Sequence, residues 1–139
     1  MYLLDTNVVS ELRRPGKAAS AVLAWSRAAV ADQLFISSIT VFEIELGVRQ
    51  KERRDATQGR LLRQWLEMQV LPQFQGRVLD VDIAVARRCA ALHSPDSAPE
   101  RDAWIAATAL VHHMTVVSRN TRDFLACGAQ VFNPWLAPD

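Results

Sequence analysis

Short apolar runs alternate with longer stretches of helical periodicity along this 139-residue chain. The short runs predict strands at residues 2–4, 34–37, 78–81 and 115–117, with a possible edge strand at 130–132. The longer stretches predict helices at residues 19–29, 40–49, 56–70, 83–93 and 99–112, and a short helix from 121 onward. Strands that alternate with helices favour a parallel sheet that is covered on both faces. Two proline-containing segments, residues 71–76 and 94–99, are expected to be loops.

We therefore expect a three-layer α/β/α sandwich with a central, mainly parallel sheet, built as a single domain over residues 1–139. This length suits one ordinary domain, whose core is large enough to fold without disulfides. Cys89 and Cys127 are far apart in sequence and are expected to be free thiols in a reducing compartment. The sequence has no recognisable signal peptide or membrane-spanning run, so a cytoplasmic location is expected.

Acidic residues stand where the predicted strands end. Asp5 directly follows the first strand, and Glu43 and Asp123 fall in the first turns of helices that follow two other strands. Right-handed crossovers bring the carboxyl ends of parallel strands to one edge of the sheet, where ligands bind. Asp102, in the first turn of the helix after the second loop, joins them if that helix begins at the same edge. The sequence therefore predicts a cluster of acids contributed by distant segments.

Carboxylates that lie close together repel each other, so they need shared protons or a cation. Oxygen ligands suit Mg²⁺ and Mn²⁺, which keep several waters and accept phosphate oxygens. Such an ion can lower the pKa of a bound water and offset the charge on a phosphodiester. His93, His112 and His113 have no partners at the spacing that a zinc site needs. The acids therefore point to magnesium or manganese.

Each acid also has a purely structural interpretation. Asp5 can be a helix N-cap, and Thr40 with Glu43 fits a capping box in which Glu43 would bond only to backbone N–H groups. Asp102 and Asp123 can be favourable charges at helix N-termini. Taken together, however, the acids border apolar elements, where an unpaired charge is costly. This favours a shared function.

The net charge of +1 excludes a protein that is strongly basic as a whole. The local excess of positive charge lies at residues 49–63, where six basic residues outnumber two acids, Glu52 and Asp55. Two interpretations stay open for this stretch. It can be an electrostatic surface for nucleic-acid phosphates or a solvated helix face.

Four motifs, in order along the chain, resemble those of the PIN-domain ribonucleases. They are residues 3–7 (LLDTN), 38–47 (SITVFEIELG), 102–109 (DAWIAATA) and 117–124 (VSRNTRDF). Residues 131–135 (VFNPW) resemble the ending of the FitB-like branch of that family. The resemblance covers nearly the whole chain and implies the α/β/α fold that the pattern of strands and helices also predicts.

The resemblance implies the toxin half of a VapBC-type toxin–antitoxin pair, a Mg²⁺- or Mn²⁺-dependent endoribonuclease. By position, Asp5, Glu43 and Asp102 would be the metal-binding acids. Thr6 would be the hydroxyl that orients Asp5 or a metal-bound water. The resemblance further implies an RNA substrate, a homodimer and a small antitoxin whose own DNA-binding part contacts the operator; no membrane contact is expected.

The fourth motif departs from the strictest family pattern. Asn120 stands where some members carry Asp, and Asp123 lies three residues later. Both are candidate site residues, and the loss of one negative charge bears on whether a second metal binds. Asn120 also favours an alternative function, a catalytically degenerate antitoxin-binding subunit of a DNA-binding repressor complex. An Asp-x-Asp phosphatase is less favoured, because position 7 is Asn.

Overall fold

A computed structural model describes residues 1–136, so residues 137–139 of the expected domain lie outside the described part. Its strands are β1 (Tyr2–Leu4), β2 (Leu34–Ser37), β3 (Val78–Leu79), β4 (Thr115–Val117) and β5 (Val131–Phe132). They form one sheet in the order β3-β2-β1-β4-β5, and every neighbouring pair is parallel. β1 is therefore the central strand, with Tyr2 opposite both Leu34 of β2 and Thr115 of β4.

The helices of the described part connect these strands. They are α1 (Thr6–Glu11), α2 (Ser20–Ala28), α3 (Ser38–Arg54), α4 (Ala56–Trp65), α5 (Leu71–Gln73), α6 (Ile83–Leu92), α7 (Glu100–His112) and α8 (Thr121–Ala126). A π-helical turn, Leu66–Val70, joins α4 to α5. None of the helices within residues 1–136 combines the length and the apolar character that crossing a bilayer requires.

The two faces of the sheet are buried by different helices. Consecutive side chains of a strand point to opposite faces, so Leu3 and Leu4, both almost fully buried, belong to different cores. The core of Leu4 includes Val48 of α3, and the core of Leu3 includes Ile105 of α7 and Phe124 of α8. Burial on both faces confirms the three-layer α/β/α architecture and the parallel sheet.

Three strands lead almost directly into helices at one edge of the sheet. A single residue, Asp5, separates β1 from α1, and β2 continues into α3 without a loop. Three residues, 118–120, separate β4 from α8. Because the strands are parallel, these three junctions lie side by side at the carboxyl edge. The fold therefore brings the first, second and fourth motifs together.

The beginning of α3 differs from the sequence prediction. The N-cap is Ser37, whose hydroxyl oxygen accepts a hydrogen bond from the Ile39 N–H at 3.0 Å. The helix therefore starts at Ser38, and Glu43 lies in its second turn rather than its first. The predicted capping box of Thr40 and Glu43 is wrong for the same reason, because the last residue of the strand already caps the helix.

The predicted loop at residues 71–76 is also partly wrong. The chain stays helical from α4 through the π-helical turn to Gln73, the end of α5. Pro72 is the second residue of α5, directly after the π-helical turn, and the helix ends one residue later, at Gln73. β3 is shorter than predicted and ends at Leu79.

Candidate active site

Asp5 is the centre of the site. Its backbone N–H donates to the Val117 carbonyl oxygen at 2.9 Å, and its carboxylate caps α1 by accepting from the Thr6 N–H at 2.8 Å. The side chain is buried, and burial raises the pKa of Asp5 above its ordinary value. Hydrogen bonds from Ser118 and Thr6 oppose that increase, and the nearby charge of Glu43 adds to it. Asp5 is thus both the predicted N-cap and a buried carboxylate whose ionised form is disfavoured.

Glu43 reaches the same edge from α3. The Thr6 hydroxyl donates to Glu43 Oε1 at 2.7 Å and contacts the Thr40 hydroxyl oxygen at 3.3 Å. Thr6 therefore connects the carboxylates of Asp5 and Glu43, the first through its backbone and the second through its side chain. On the other side, Arg101 Nη1 lies 3.6 Å from Glu43 Oε2.

Asp102 and Asp123 are connected through Asn120. The amide nitrogen of Asn120 donates to Asp102 Oδ2 at 2.6 Å and to Asp123 Oδ2 at 3.0 Å. Helix α7 therefore begins at the acid-lined edge, as the prediction for Asp102 required. Burial raises the pKa of Asp102 to about 6, with further contributions from the charges of Asp5, Asp123 and Glu43 and from a hydrogen bond with Asp123.

Sequence reasoning missed Ser118 as a functional residue. This fully buried side chain donates to Asp5 Oδ2 at 2.6 Å and accepts from the Asn120 N–H at 2.9 Å. Asn7 also contacts it, because its amide nitrogen lies 3.3 Å from both Ser118 Oγ and Asp5 Oδ2. One signal could have found Ser118, since it follows β4 in the same way that Asp5 follows β1.

The structure thus brings all six predicted site residues to one edge of the sheet, linked by hydrogen bonds or by the electrostatic effect of their charges. They are Asp5, Thr6, Glu43, Asp102, Asn120 and Asp123. Within residues 1–136, however, no three His, Cys, Asp or Glu side chains are grouped closely enough to hold a metal ion. Asn120 and Thr6 stand between the acids instead.

The donor chemistry of the site fits a hard divalent cation. Its ligand atoms are carboxylate, hydroxyl and amide oxygens. Burial raises the pKa of Asp5 and Asp102, and repulsion from neighbouring carboxylates adds to the increase. A cation among these oxygens would relieve that repulsion. The side chains would have to draw together around it, because the protein alone does not hold them at ligand spacing.

Part of the basic stretch at residues 49–63 is engaged in ion pairs. Arg63 lies 2.8 Å from Glu45 and 3.0 Å from Glu52, and Arg49 lies 3.0 Å from Glu45. The two pairs of Arg63 join α4 to α3, whereas the pair of Arg49 and Glu45 lies within α3. Hydrogen bonds from Arg63 lower the pKa of both Glu45 and Glu52. The charges of Arg49 and Arg63 are therefore paired with glutamates, and a nucleic-acid surface on this stretch stays a prediction.

The fold and the site together define a parallel α/β domain with an acid-lined carboxyl edge. The family model of the PIN domain matches residues 2–128. This chain belongs to the PIN-domain family.

Curated relatives match almost the whole chain. Toxin FitB of Neisseria gonorrhoeae is 40% identical, over 97% of this chain and 99% of the relative. VapC ribonuclease Y4jK of Sinorhizobium fredii is 38% identical, over 97% of this chain and 98% of the relative. The crystal structure of FitAcB from Neisseria gonorrhoeae superposes with a TM-score of 0.89 at 38% identity, covering 99% of this chain and 100% of the other.

Proposed function

We propose that the protein is a metal-dependent endoribonuclease, the toxin of a toxin–antitoxin pair, and that it acts in the cytoplasm as a single domain over residues 1–139. The observation that carries the proposal is the convergence of Asp5, Glu43, Asp102 and Asp123 at one edge of the sheet, with the pKa of Asp102 raised to about 6. The similarity to a protein named as a toxin and to one named as a ribonuclease supports the same activity.

Asp5, Glu43 and Asp102 would hold the divalent cation, Mg²⁺ or Mn²⁺. When bound, the cation supplies a water of lowered pKa and a positive charge against the scissile phosphate. The residues around these acids fix their positions. Ser118 holds the carboxylate of Asp5, and Thr6 holds that of Glu43.

The remaining polar residues complete the acid edge. Asn120 donates to Asp102 and Asp123, which keeps both carboxylates aimed into the site. In-line attack by water on the RNA phosphate would leave 5′-phosphate and 3′-hydroxyl ends. Resemblance to the family supports a homodimer, inhibition by a small antitoxin, and contact with operator DNA through that antitoxin only.

RNA cleavage by the purified chain tests this function. We expect cleavage with Mg²⁺ or Mn²⁺, none with EDTA, and a loss of at least about a hundredfold in rate for Asp5→Asn. Asp55→Asn is the matched control, because Asp55 caps α4 and Asn caps helices equally well. Equal cleavage by Asp5→Asn and the wild type would show that the site assignment is wrong.

A catalytically degenerate antitoxin-binding subunit is the second candidate. Two observations favour it: Asn120 takes a position where an acid would add charge, and the acids of residues 1–136 are not grouped at metal-ligand spacing. Calorimetric titration with Mg²⁺ and Mn²⁺ separates the two functions. Binding that Asp5→Asn removes supports the nuclease, and no binding to the wild type supports the degenerate subunit.

A further inference from the structure

An RNA strand that approaches the site meets a concentration of negative charge. Four carboxylates lie at this edge, because Thr6 contacts those of Asp5 and Glu43 while Asn120 donates to those of Asp102 and Asp123. A divalent cation offsets only part of this charge, so the flanking phosphates need further positive groups nearby. Three arginines are adjacent in sequence to site residues: Arg101 precedes Asp102, Arg119 precedes Asn120 and Arg122 precedes Asp123. Two of them, Arg101 and Arg119, lie against aromatic rings. Both side chains are exposed.

Arg101 forms a composite surface with Phe42. Its guanidinium carbon lies 5.2 Å from the centre of the Phe42 ring, and its Nη1 lies 3.6 Å from Glu43 Oε2. Phe42 is 51% exposed, although it precedes a predicted metal ligand in the chain. An exposed aromatic ring beside a charged site can stack on an unpaired base, and an arginine held on such a ring keeps its N–H groups available for phosphate.

Arg119 forms a similar pair with Trp135. The guanidinium carbon lies 4.7 Å from the centre of the Trp135 ring. The backbone N–H of Arg119 donates to Asn7 Oδ1 at 3.3 Å, and Asn7 in turn contacts Asp5 Oδ2. The position of this arginine is therefore tied to the central carboxylate through one side chain.

The order of the strands places these two pairs on opposite sides of Asp5. Phe42 and Glu43 follow β2, which neighbours β1 on one side. Arg119 follows β4, which neighbours β1 on the other side, and Trp135 follows β5 beyond it. A strand of RNA that crosses the acids along the sheet edge would thus pass one pair before the acids and the other after them.

We propose that the Arg101–Phe42 and Arg119–Trp135 pairs bind single-stranded RNA on either side of the acid cluster, an inference that rests on the proposed nuclease function. Each arginine binds one backbone phosphate, and the exposed face of Phe42 stacks on an unpaired base.

Fluorescence anisotropy with a labelled, mixed-sequence single-stranded RNA tests the proposal, in EDTA so that no cleavage is needed. Arg101→Ala and Arg119→Ala should each make the negative slope of log affinity against log salt shallower by about 0.7, the contribution of one phosphate contact to a single strand. Phe42→Leu should weaken binding roughly tenfold without changing that slope, because the variant loses the stacking of one base but keeps every charged group.

Two variants serve as matched controls: Arg88→Ala on α6 removes an equal charge, and Met68→Ala removes an exposed apolar side chain. Both should bind RNA with the wild-type salt slope and affinity. Thermal unfolding of every variant confirms that it is folded, and Arg119→Lys should recover most of the slope. This recovery separates phosphate binding from a purely structural role.

The proposal is overturned if Arg101→Ala and Arg119→Ala keep the wild-type slope, or if Phe42→Leu binds RNA as tightly as the wild type. It is also overturned if the variants lose affinity only for the antitoxin, because the surface is then a protein contact. A wild type that binds RNA in this way but never cleaves it would refute the nuclease function and leave the binding surface standing.

Discussion

Asp102→Asn should stabilise the metal-free protein while it removes a ligand of the proposed metal site. Burial and the charges of the neighbouring acids raise the pKa of Asp102 to about 6, so the folded state disfavours its ionised form. The neutral amide of the variant takes no part in that repulsion. It also keeps an oxygen that can accept the hydrogen bond from the Asn120 amide, which is 2.6 Å long in the wild type.

The size of the effect depends on pH with a defined sign. The pKa of Asp102 is about 6 in the folded protein against an ordinary value of 3.8. A tenfold change in proton affinity corresponds to about 1.4 kcal/mol, which sets an upper limit of about 3 kcal/mol. Solvent screening of this half-buried side chain reduces the expected gain to about 1–2 kcal/mol. The gain is complete above the folded pKa, where both states are ionised, and it disappears below the unfolded pKa.

Thermal unfolding in EDTA at about pH 8 and about pH 3 measures the effect. At the higher pH the variant should unfold about 3–6 °C above the wild type, and at the lower pH the two should coincide. Glu100→Gln is the control, because Glu100 is an exposed acid at the start of the same helix. Its loss should lower the free energy of unfolding by about 0.3–1 kcal/mol. An Asp102→Asn variant that is less stable than the wild type at the higher pH would refute the repulsive acid cluster.

Three further substitutions test other parts of the structure. Ser118→Ala removes the buried donor to Asp5 and should cost about 1–3 kcal/mol in urea unfolding; a change below a few tenths would contradict the role assigned to this bond. Gly59→Ala should cost about 1–3 kcal/mol, because a Cβ there would lie 2.5 Å from Glu52 Cα on the facing helix. The control Gly47→Ala has open space and should gain up to about 1 kcal/mol, so equal effects at both glycines would refute the close approach. Thr6→Val keeps the shape of the side chain but not its hydrogen bond to a site carboxylate, and should weaken Mn²⁺ binding in calorimetry; an unchanged Kd would exclude this positioning role.

The fold could be predicted from the sequence because its signals are local. Each strand is a short apolar run, and each long helix has its own periodicity, so the alternation alone indicates a covered parallel sheet. The convergence of the acids followed from the same reasoning, since Asp5 and Asp123 each lie near the end of a strand. Asp102 required one more condition, that α7 begin at the site, and the contact of its carboxylate with Asn120 meets that condition.

The predictions that were wrong or missing concern features that depend on contacts between distant segments or on competition between neighbouring residues. Ser37 and Thr40 are both good N-cap residues, and only the length of β2 decides that Ser37 caps α3. The π-helical turn before α5 leaves no recognisable mark in the sequence. The role of Ser118 depends on a hydrogen bond between residues 118 and 5, which belong to different strand ends and meet only in the folded protein.

The bridging role of Asn120 explains why the acids converge without standing at metal-ligand spacing. Its amide nitrogen donates to Asp102 and Asp123 at once, so in the absence of a cation it supplies both carboxylates with a neutral hydrogen-bond donor. An aspartate at this position would add a negative charge and remove the donor, which would increase the repulsion between carboxylates in the metal-free site. Asn120 therefore stabilises the metal-free protein through Asp102 Oδ2, and a cation that binds that oxygen would compete with the Asn120 amide. At this oxygen, metal binding and the stability of the metal-free protein would be opposed.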